Sequence, residues 1–307
     1  TCLTYSIKPM KIRAATRGSP LALWQTKKSI SLLVDVFPEL EVEIVVVETT
    51  GDRDRETPLN ELGGQGIFVK EVQIAVLEGR ADFAVHSAKD LPALSPAGLQ
   101  IIAFPERADP RDALIGNRWL DLPPKARIAT GSIRRQTHLK YLRPDLCFEE
   151  LRGNIETRLK KAEQYDGIVM AKAALDRLNL KPQIVDVLHP SVLLPQVGQG
   201  ALAIECRVDE PEISVLLSEI NHLDTHRSVM AERAFLSELG TGCDLPIAAH
   251  AITKDDDVLL TAALSSYDGK TLLRTTEMGK DGLALGKKVA QSLLDIQDGR
   301  QLMEKNE

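Results

Sequence analysis

Apolar and polar positions along this chain switch between a helical and a strand-like period, and the switches mark out its elements. Residues 11–16 predict a strand. Ser19-Pro20 then supplies a helix N-cap and a proline at the first helical position, and the helix runs through Leu23, Trp24, Ile30 and Val34 to stop near Pro38. Residues 41–48 alternate and then run apolar, as a buried strand does. The stretch 49–66 is polar, carries glycines near its end and shows no period; loops of that length inside compact domains are usually functional or mobile. Residues 67–77 return to helical spacing and 82–85 predict a short strand. Strand, helix, strand, helix, strand implies a parallel sheet with crossover helices.

The alternation repeats after Phe104-Pro105. Strands are expected at 127–130, 146–151 and 167–170, with helices at 132–142, 154–164 and 171–178, a second α/β unit of about 95 residues. Pro190 and Pro195 lead into a hinge-like Val197-Gly-Gln-Gly200 and a strand at 201–206, which by pattern alone fits either unit. The last third changes character. Helices at 212–221 and 225–239, strands at 247–252, 258–265 and 271–277 with turn residues at Asp255-Asp-Asp257 and Asp268-Gly269, and a helix at 283–296 describe a small α+β domain. No repeat or low-complexity tract is present.

Composition narrows the classes. The 307 residues carry 38 Lys plus Arg against 44 Asp plus Glu, a net charge of −6, which argues against general nucleic-acid binding. No run of 18 apolar residues suggests a membrane span. Length alone allows two domains or three small ones. Cys2, Cys147, Cys206 and Cys243 form neither a disulfide framework nor a Cys-x-x-Cys metal site, so no metal and a reducing cytoplasm are expected. Residues 1–9 lack a secretory pattern; 1–10 are expected to be a disordered extension, with Met10 marking the functional start.

Against the acidic total, residues 127–158 hold seven Lys or Arg and four Asp or Glu, a net of +3. Arg134-Arg135 sits in the first turn of a helix after Thr130-Gly131-Ser132, where a cation opposes the helix dipole but can join backbone N–H groups in holding an anion. Arg152-Gly153-Asn154, with Arg158 one turn on, and Arg17-Gly18-Ser19 repeat the arrangement. Three such junctions suggest one cleft lined by guanidinium forks suited to carboxylate or phosphate, although any one alone reads as a solvated surface arginine. His86-Ser-Ala-Lys-Asp90 follows a strand directly, where open α/β sheets place ligands. Asp90 is either an ordinary turn residue or a carboxylate that handles protons or stabilises a cation; His86 is expected to be structural. No Gly-x-Ser-x-Gly elbow supports a serine hydrolase. Cys243, in Gly240-Thr-Gly-Cys-Asp-Leu-Pro246, is expected on an exposed loop as a possible nucleophile, whereas Cys147 and Cys206 are assigned to packing.

Taken in order, Ala15-Thr-Arg-Gly-Ser-Pro-Leu-Ala-Leu-Trp-Gln25, His86-Ser-Ala-Lys-Asp90, Asp109-Pro-Arg-Asp-Ala113, Gly131-Ser-Ile-Arg-Arg-Gln136, Leu151-Arg-Gly-Asn154, Val197-Gly-Gln-Gly-Ala201 and Gly242-Cys243 resemble the porphobilinogen deaminase (hydroxymethylbilane synthase) family over nearly the whole chain. The resemblance implies an α/β fold of three domains. Two are lobes like the halves of a type II periplasmic binding protein (11–105 with 201–221, and 106–200), and the third is a small α+β C-terminal domain (222–307) with a three-stranded antiparallel sheet.

It further implies a transferase that joins four porphobilinogen units head to tail, releasing ammonia, on a dipyrromethane cofactor bound to Cys243 by a thioether. The product, hydroxymethylbilane, is freed by hydrolysis. By the same resemblance Asp90 is catalytic; Lys89, Ser19, Thr130, Ser132, Arg134, Arg135, Gly153 and Arg158 bind the cofactor; Arg17, Arg152, Arg177 and Gln199 bind substrate. Each pyrrole brings two carboxylates, and each needs a cation or N–H partner to leave water. The family's usual lid lysine is Gln65 here, and Ala88 stands where methionine is usual. A cytoplasmic monomer of bacterial type is expected, with no nucleic-acid or membrane partner. A non-catalytic two-lobed sensor would leave Cys243 and the third domain without a role, and a cysteine acyl transferase would need His250 as its base.

Overall fold

The computed structural model describes residues 11–49, 66, 68–240 and 246–302. The expectations for the N-terminal extension, for most of the 49–66 loop including Gln65, and for Cys243 lie outside them. The first strand, β1 (Lys11–Arg17), pairs in parallel with β2 (Glu41–Val47) and β3 (Phe83–Ser87). Beyond β3 the sheet turns antiparallel, through β10 (Leu202–Arg207) to β4 (Leu99–Ala103), giving the order β2-β1-β3-β10-β4. A second sheet repeats this plan as β7-β6-β8-β5-β9, with β6 (Arg127–Ala129) parallel to β7 (Cys147–Glu149) and β8 (Gly167–Ala171). In it β5 (Asp112–Ile115) runs antiparallel to both β8 and β9 (Val185–Val187).

In each sheet the antiparallel fourth strand is the one that follows a crossing from the other sheet. The chain crosses between β4 and β5 and returns between β9 and β10, so two segments join the two lobes. The sheets are mixed, not parallel as the alternation of elements suggested: the antiparallel strand is β10 in the first, which the pattern fitted to either unit, and β5 in the second, which does not show in the periodicity. Strand β5 is four residues long and opens on a fully buried charge, Asp112.

Helix α1 (Pro20–Val36) starts as its cap predicts, with Ser19 Oγ accepting from Ala22 N–H at 3.2 Å. Its buried side is largely polar (Gln25, Thr26, Ser29 and Leu33), and Trp24 is exposed. Helix α2 (Lys70–Leu77) covers the first sheet, and α3 (Ile133–Leu142), α4 (Ile155–Lys160) and α5 (Lys172–Arg177) belong to the second. Helix α6 (Pro211–Ser218) packs Ile213, Leu216 and Leu217 into the core of the first lobe. The C-terminal unit lays α7 (Leu223–Glu238) and α8 (Gly282–Gln291) against an antiparallel sheet of β11 (Ile247–Lys254), β12 (Asp257–Ser265) and β13 (Leu272–Gly279). Its core gathers Phe235, Val258, Leu260, Leu285, Val289 and Leu293.

Cys206 is buried, as assigned, but Cys147 is exposed. It sits on β7, an edge strand too short for its apolar neighbours to predict which face is covered.

Candidate active site

Strand β3 ends in a single 3-10 turn, Ala88–Asp90, which lifts Lys89 and Asp90 off the carboxyl edge of the first sheet. The turn rests on the second crossing. Gly198 has φ +69°, and a Cβ there would lie 2.9 Å from the Ala88 carbonyl carbon and 3.0 Å from Lys89 N. Only glycine permits both this backbone and this approach. Ala88 is itself buried against Gly198, and its N–H donates to Ala201 O at 3.0 Å.

Asp90 borders a pocket lined by Arg17, Ser19, Gln25, Phe68, His86 and Ser87, among others. Arg17 stacks over the Phe68 ring at 4.1 Å. Gln25 Nε2 donates to Ser87 Oγ at 2.8 Å. His86 faces inward, its Nε2 lying 3.3 Å from Glu205 Oε2, and Gln73 Nε2 donates to the same carboxylate at 2.9 Å. Burial alone would raise the Glu205 carboxyl, but His86 and Gln73 hold it below the usual range. His86 thus braces the strand end.

Cations converge on Asp90 from both lobes. Lys89, partly exposed, has its ammonium pushed down to about 8, chiefly by burial and further by Arg135 and Arg134, while Asp90 and Asp112 oppose the shift. Burial brings Arg158 down to about 10, helped by the charges of Arg135 and Arg152 and opposed by Asp90. Arg177 is likewise lowered to about 10 by burial, with Asp90 as the opposing charge. Its Nη2 donates to Gly200 O at 2.7 Å and its guanidinium stands 5.9 Å from the Trp24 ring on α1, so it spans the cleft.

Arg158 Nε donates to Gly153 O at 2.8 Å, and Gly153 has φ +110°, where a Cβ would meet Thr157 at 2.7 Å. Arg152 is turned toward Glu150, 2.6 Å away. Thr130 is buried and its Oγ1 accepts from Ser132 N–H at 3.3 Å, shaping the turn into α3.

Arg134 and Arg135, expected to help hold an anion, are engaged within the protein in this structure. Both are buried and both face Asp112, with Arg134 Nη2 at 2.9 Å and Arg135 Nη2 at 2.8 Å. Gln199, fully buried, donates from Nε2 to Pro110 O at 2.7 Å and to Asp112 Oδ1 at 3.1 Å. One turn along α3, His138 donates from Nε2 to Pro246 O at 3.2 Å, joining the helix to the residue that follows segment 241–245. Burial and the Arg134 charge push its imidazole down to about 3, so it stays neutral. His250 lies on β11 opposite Thr261, and burial lowers its imidazole.

The site thus gathers Asp90 with Lys89, Arg158 and Arg177, and Arg17 with Ser19 on the same pocket. Sequence reasoning gave no role to Gln25, Ser87, Phe68 or Asp112. Three of these lie inside the quoted motifs, and none carries a pattern that announces a ligand-facing side chain.

Family models match most of the chain. One described as "Porphobilinogen deaminase, dipyromethane cofactor binding domain" covers residues 12–215, and one described as "Porphobilinogen deaminase, C-terminal domain" covers residues 226–295. Among solved structures the chain is similar to the L-cystine solute receptor of Neisseria gonorrhoeae in its unliganded open conformation. The identity is 12% and the TM-score 0.41, over 76% of this chain and 94% of that one. It is similar also to the BenM effector binding domain with its effector benzoate, at 16% identity and TM-score 0.41, over 68% of this chain and 89% of that one. Likeness at this level says nothing of what this chain binds.

Proposed function

The chain belongs to the porphobilinogen deaminase family, and from that premise we propose that it condenses four porphobilinogen molecules head to tail, with release of ammonia, into hydroxymethylbilane. The observation that carries this reading is that Lys89, Arg158 and Arg177, drawn from two lobes, all feel the charge of one carboxylate, Asp90, with Arg177 standing 5.9 Å from the Trp24 ring of the other lobe. The cations answer the acidic arms of the substrate, and the carboxylate answers the positive charge that develops as ammonia departs.

The residues fit the dipyrromethane group. Arg158 and Lys89 are depressed by burial and by neighbouring cations, the electrostatics of a cleft that gains from a ligand bearing several carboxylates. Lys89, Ser19, Thr130, Ser132, Arg134, Arg135, Gly153 and Arg158 would hold it, with Cys243 as its covalent anchor. Bound there, it supplies the pyrrole ring to which the chain is extended. Arg17, Arg152, Arg177 and Gln199 are assigned to the incoming substrate. Arg17 is stacked on Phe68 and Arg177 on Trp24, so both guanidiniums are partly ordered beforehand, which lowers the entropic cost of gripping a carboxylate. Asp90 acts by preorganised charge, its turn backed by Gly198.

We divide the chain into domains 11–105 with 201–221, 106–200 and 222–307. We read the enzyme as a cytoplasmic monomer, the compartment from its scattered cysteines; no described helix is long and apolar enough to cross a membrane. Stoichiometry tests the reaction. Purified protein given porphobilinogen should release four ammonia molecules per linear tetrapyrrole formed. Substrate left unconsumed, or ammonia without tetrapyrrole, would overturn the assignment.

A further inference from the structure

Asp112 opens β5, immediately after the first crossing, and its carboxylate is fully buried. A buried carboxylate is costly unless its oxygens are well partnered. Here Oδ1 accepts from Arg135 Nε at 3.0 Å and from Gln199 Nε2 at 3.1 Å, with Arg135 Nη2 at 2.8 Å, while Oδ2 lies 2.9 Å from Arg134 Nη2. Each arginine has one main-chain anchor besides. Arg134 Nη1 donates to Leu194 O at 2.6 Å and Arg135 Nη1 to Val169 O at 3.0 Å.

Gln199 belongs to the second crossing, so one carboxylate joins two cations of α3 to the segment on which the Asp90 turn rests. Burial works to raise the Asp112 carboxyl, but the two guanidiniums and the Gln199 amide hold it below the usual range, so it is ionised. Its charge reaches the facing lobe as well: Lys89 is pulled down by Arg134 and Arg135 and held up by Asp112 and Asp90.

We propose that Asp112 is a positioning residue: it fixes the guanidinium planes of Arg134 and Arg135, ties them through Gln199 to the second crossing, and balances their charge. The cofactor-holding part of this rests on the function proposed above; the charge balance does not.

The test follows the pH dependence of Lys89 acetylation by acetic anhydride, quantified by peptide mass spectrometry on the full chain. Asp112→Asn should move the Lys89 midpoint down by about half a unit or more, since the nearby cations lose their counter-charge. The double variant Asp112→Asn/Arg135→Gln, which removes one charge of each sign, should bring it back close to wild type. General structural damage would not be repaired in this way.

If Asp112→Asn does not fold, Arg135→Gln alone should raise the midpoint and the double variant lower it again. A midpoint indifferent to Asp112 in either comparison overturns the proposal. In the active enzyme Asp112→Asn should raise KM for porphobilinogen about tenfold while changing kcat less; an unchanged KM beside normal turnover also overturns it. Should wild-type protein neither bind nor convert porphobilinogen, the family activity fails separately and Lys89 still decides the role of Asp112.

Discussion

Asp90 and Lys89 are adjacent in the chain and opposite in charge, yet they do different work. The Asp90 charge is felt by Arg158 and Arg177, and in the proposed function a charge held there would stabilise a cation without reorganising solvent. Asp90→Asn keeps the shape and removes the charge, so kcat should fall by roughly 10²–10³-fold while the melting temperature stays within a few degrees. Turnover within a few-fold of wild type would refute the role. Lys89 is depressed to about 8 from 10.5, so it loses its proton as pH rises through 8. Porphobilinogen kcat/KM should therefore drop above pH 8, and Lys89→Arg should abolish that limb.

The sign for stability is opposite. Between about 8 and 10.5 the unfolded chain binds the proton that the folded one has released, so this group favours folding increasingly as pH rises through that window. Residues with chemistry in their identity, such as Asp90 and the arginines, could be singled out as candidates from the sequence. Asp112 was not, because a buried aspartate that binds other protein groups has the same one-letter signature as a turn residue.

The 3-10 turn bearing Asp90 has little rigidity of its own and depends on the crossing beneath it. Gly198→Ala would force a Cβ within 3 Å of main chain at a positive φ. It should cost about 1–3 kcal/mol in denaturant unfolding and lower kcat by more than the stability loss explains. Unchanged kcat in the Gly198→Ala enzyme would show that the turn does not depend on this contact.

Long amphipathic helices and β1, β2 and β3 could be found from periodicity, because each covers one face of a sheet. The strands β4, β5 and β9 could not, since they are short and their burial comes from partners distant in sequence. Missing β5, and leaving open which unit takes β10, is what made mixed sheets look parallel. The polar buried face of α1 is a similar case, with Gln25 bonding Ser87 at the site instead of filling a core.

At the scale of the whole molecule, one buried residue of the C-terminal domain holds both crossings. Glu232 on α7 accepts from Arg107 Nη1 at 2.6 Å on the first crossing and from Gly198 N at 2.7 Å on the second. It also accepts from Ala251 N at 2.7 Å on β11. Glu232→Leu leaves Arg107 without its carboxylate and should destabilise the protein by about 3–5 kcal/mol, measured by denaturant unfolding. A loss below about 1 kcal/mol would show that the crossings are held by other contacts.

The acidic molecule, at −6 overall, still presents a cationic cleft, an asymmetry already visible in the +3 of residues 127–158. Anionic substrate should consequently bind less well as salt screens the cleft. If this cleft serves a pyrrole chain tethered to Cys243, the intact mass of the purified protein carries the tether. Wild-type protein should be heavier than its sequence by two pyrrole units and Cys243→Ser should not; a wild-type mass equal to the bare chain in active enzyme, or the same addition on Cys243→Ser, would contradict it.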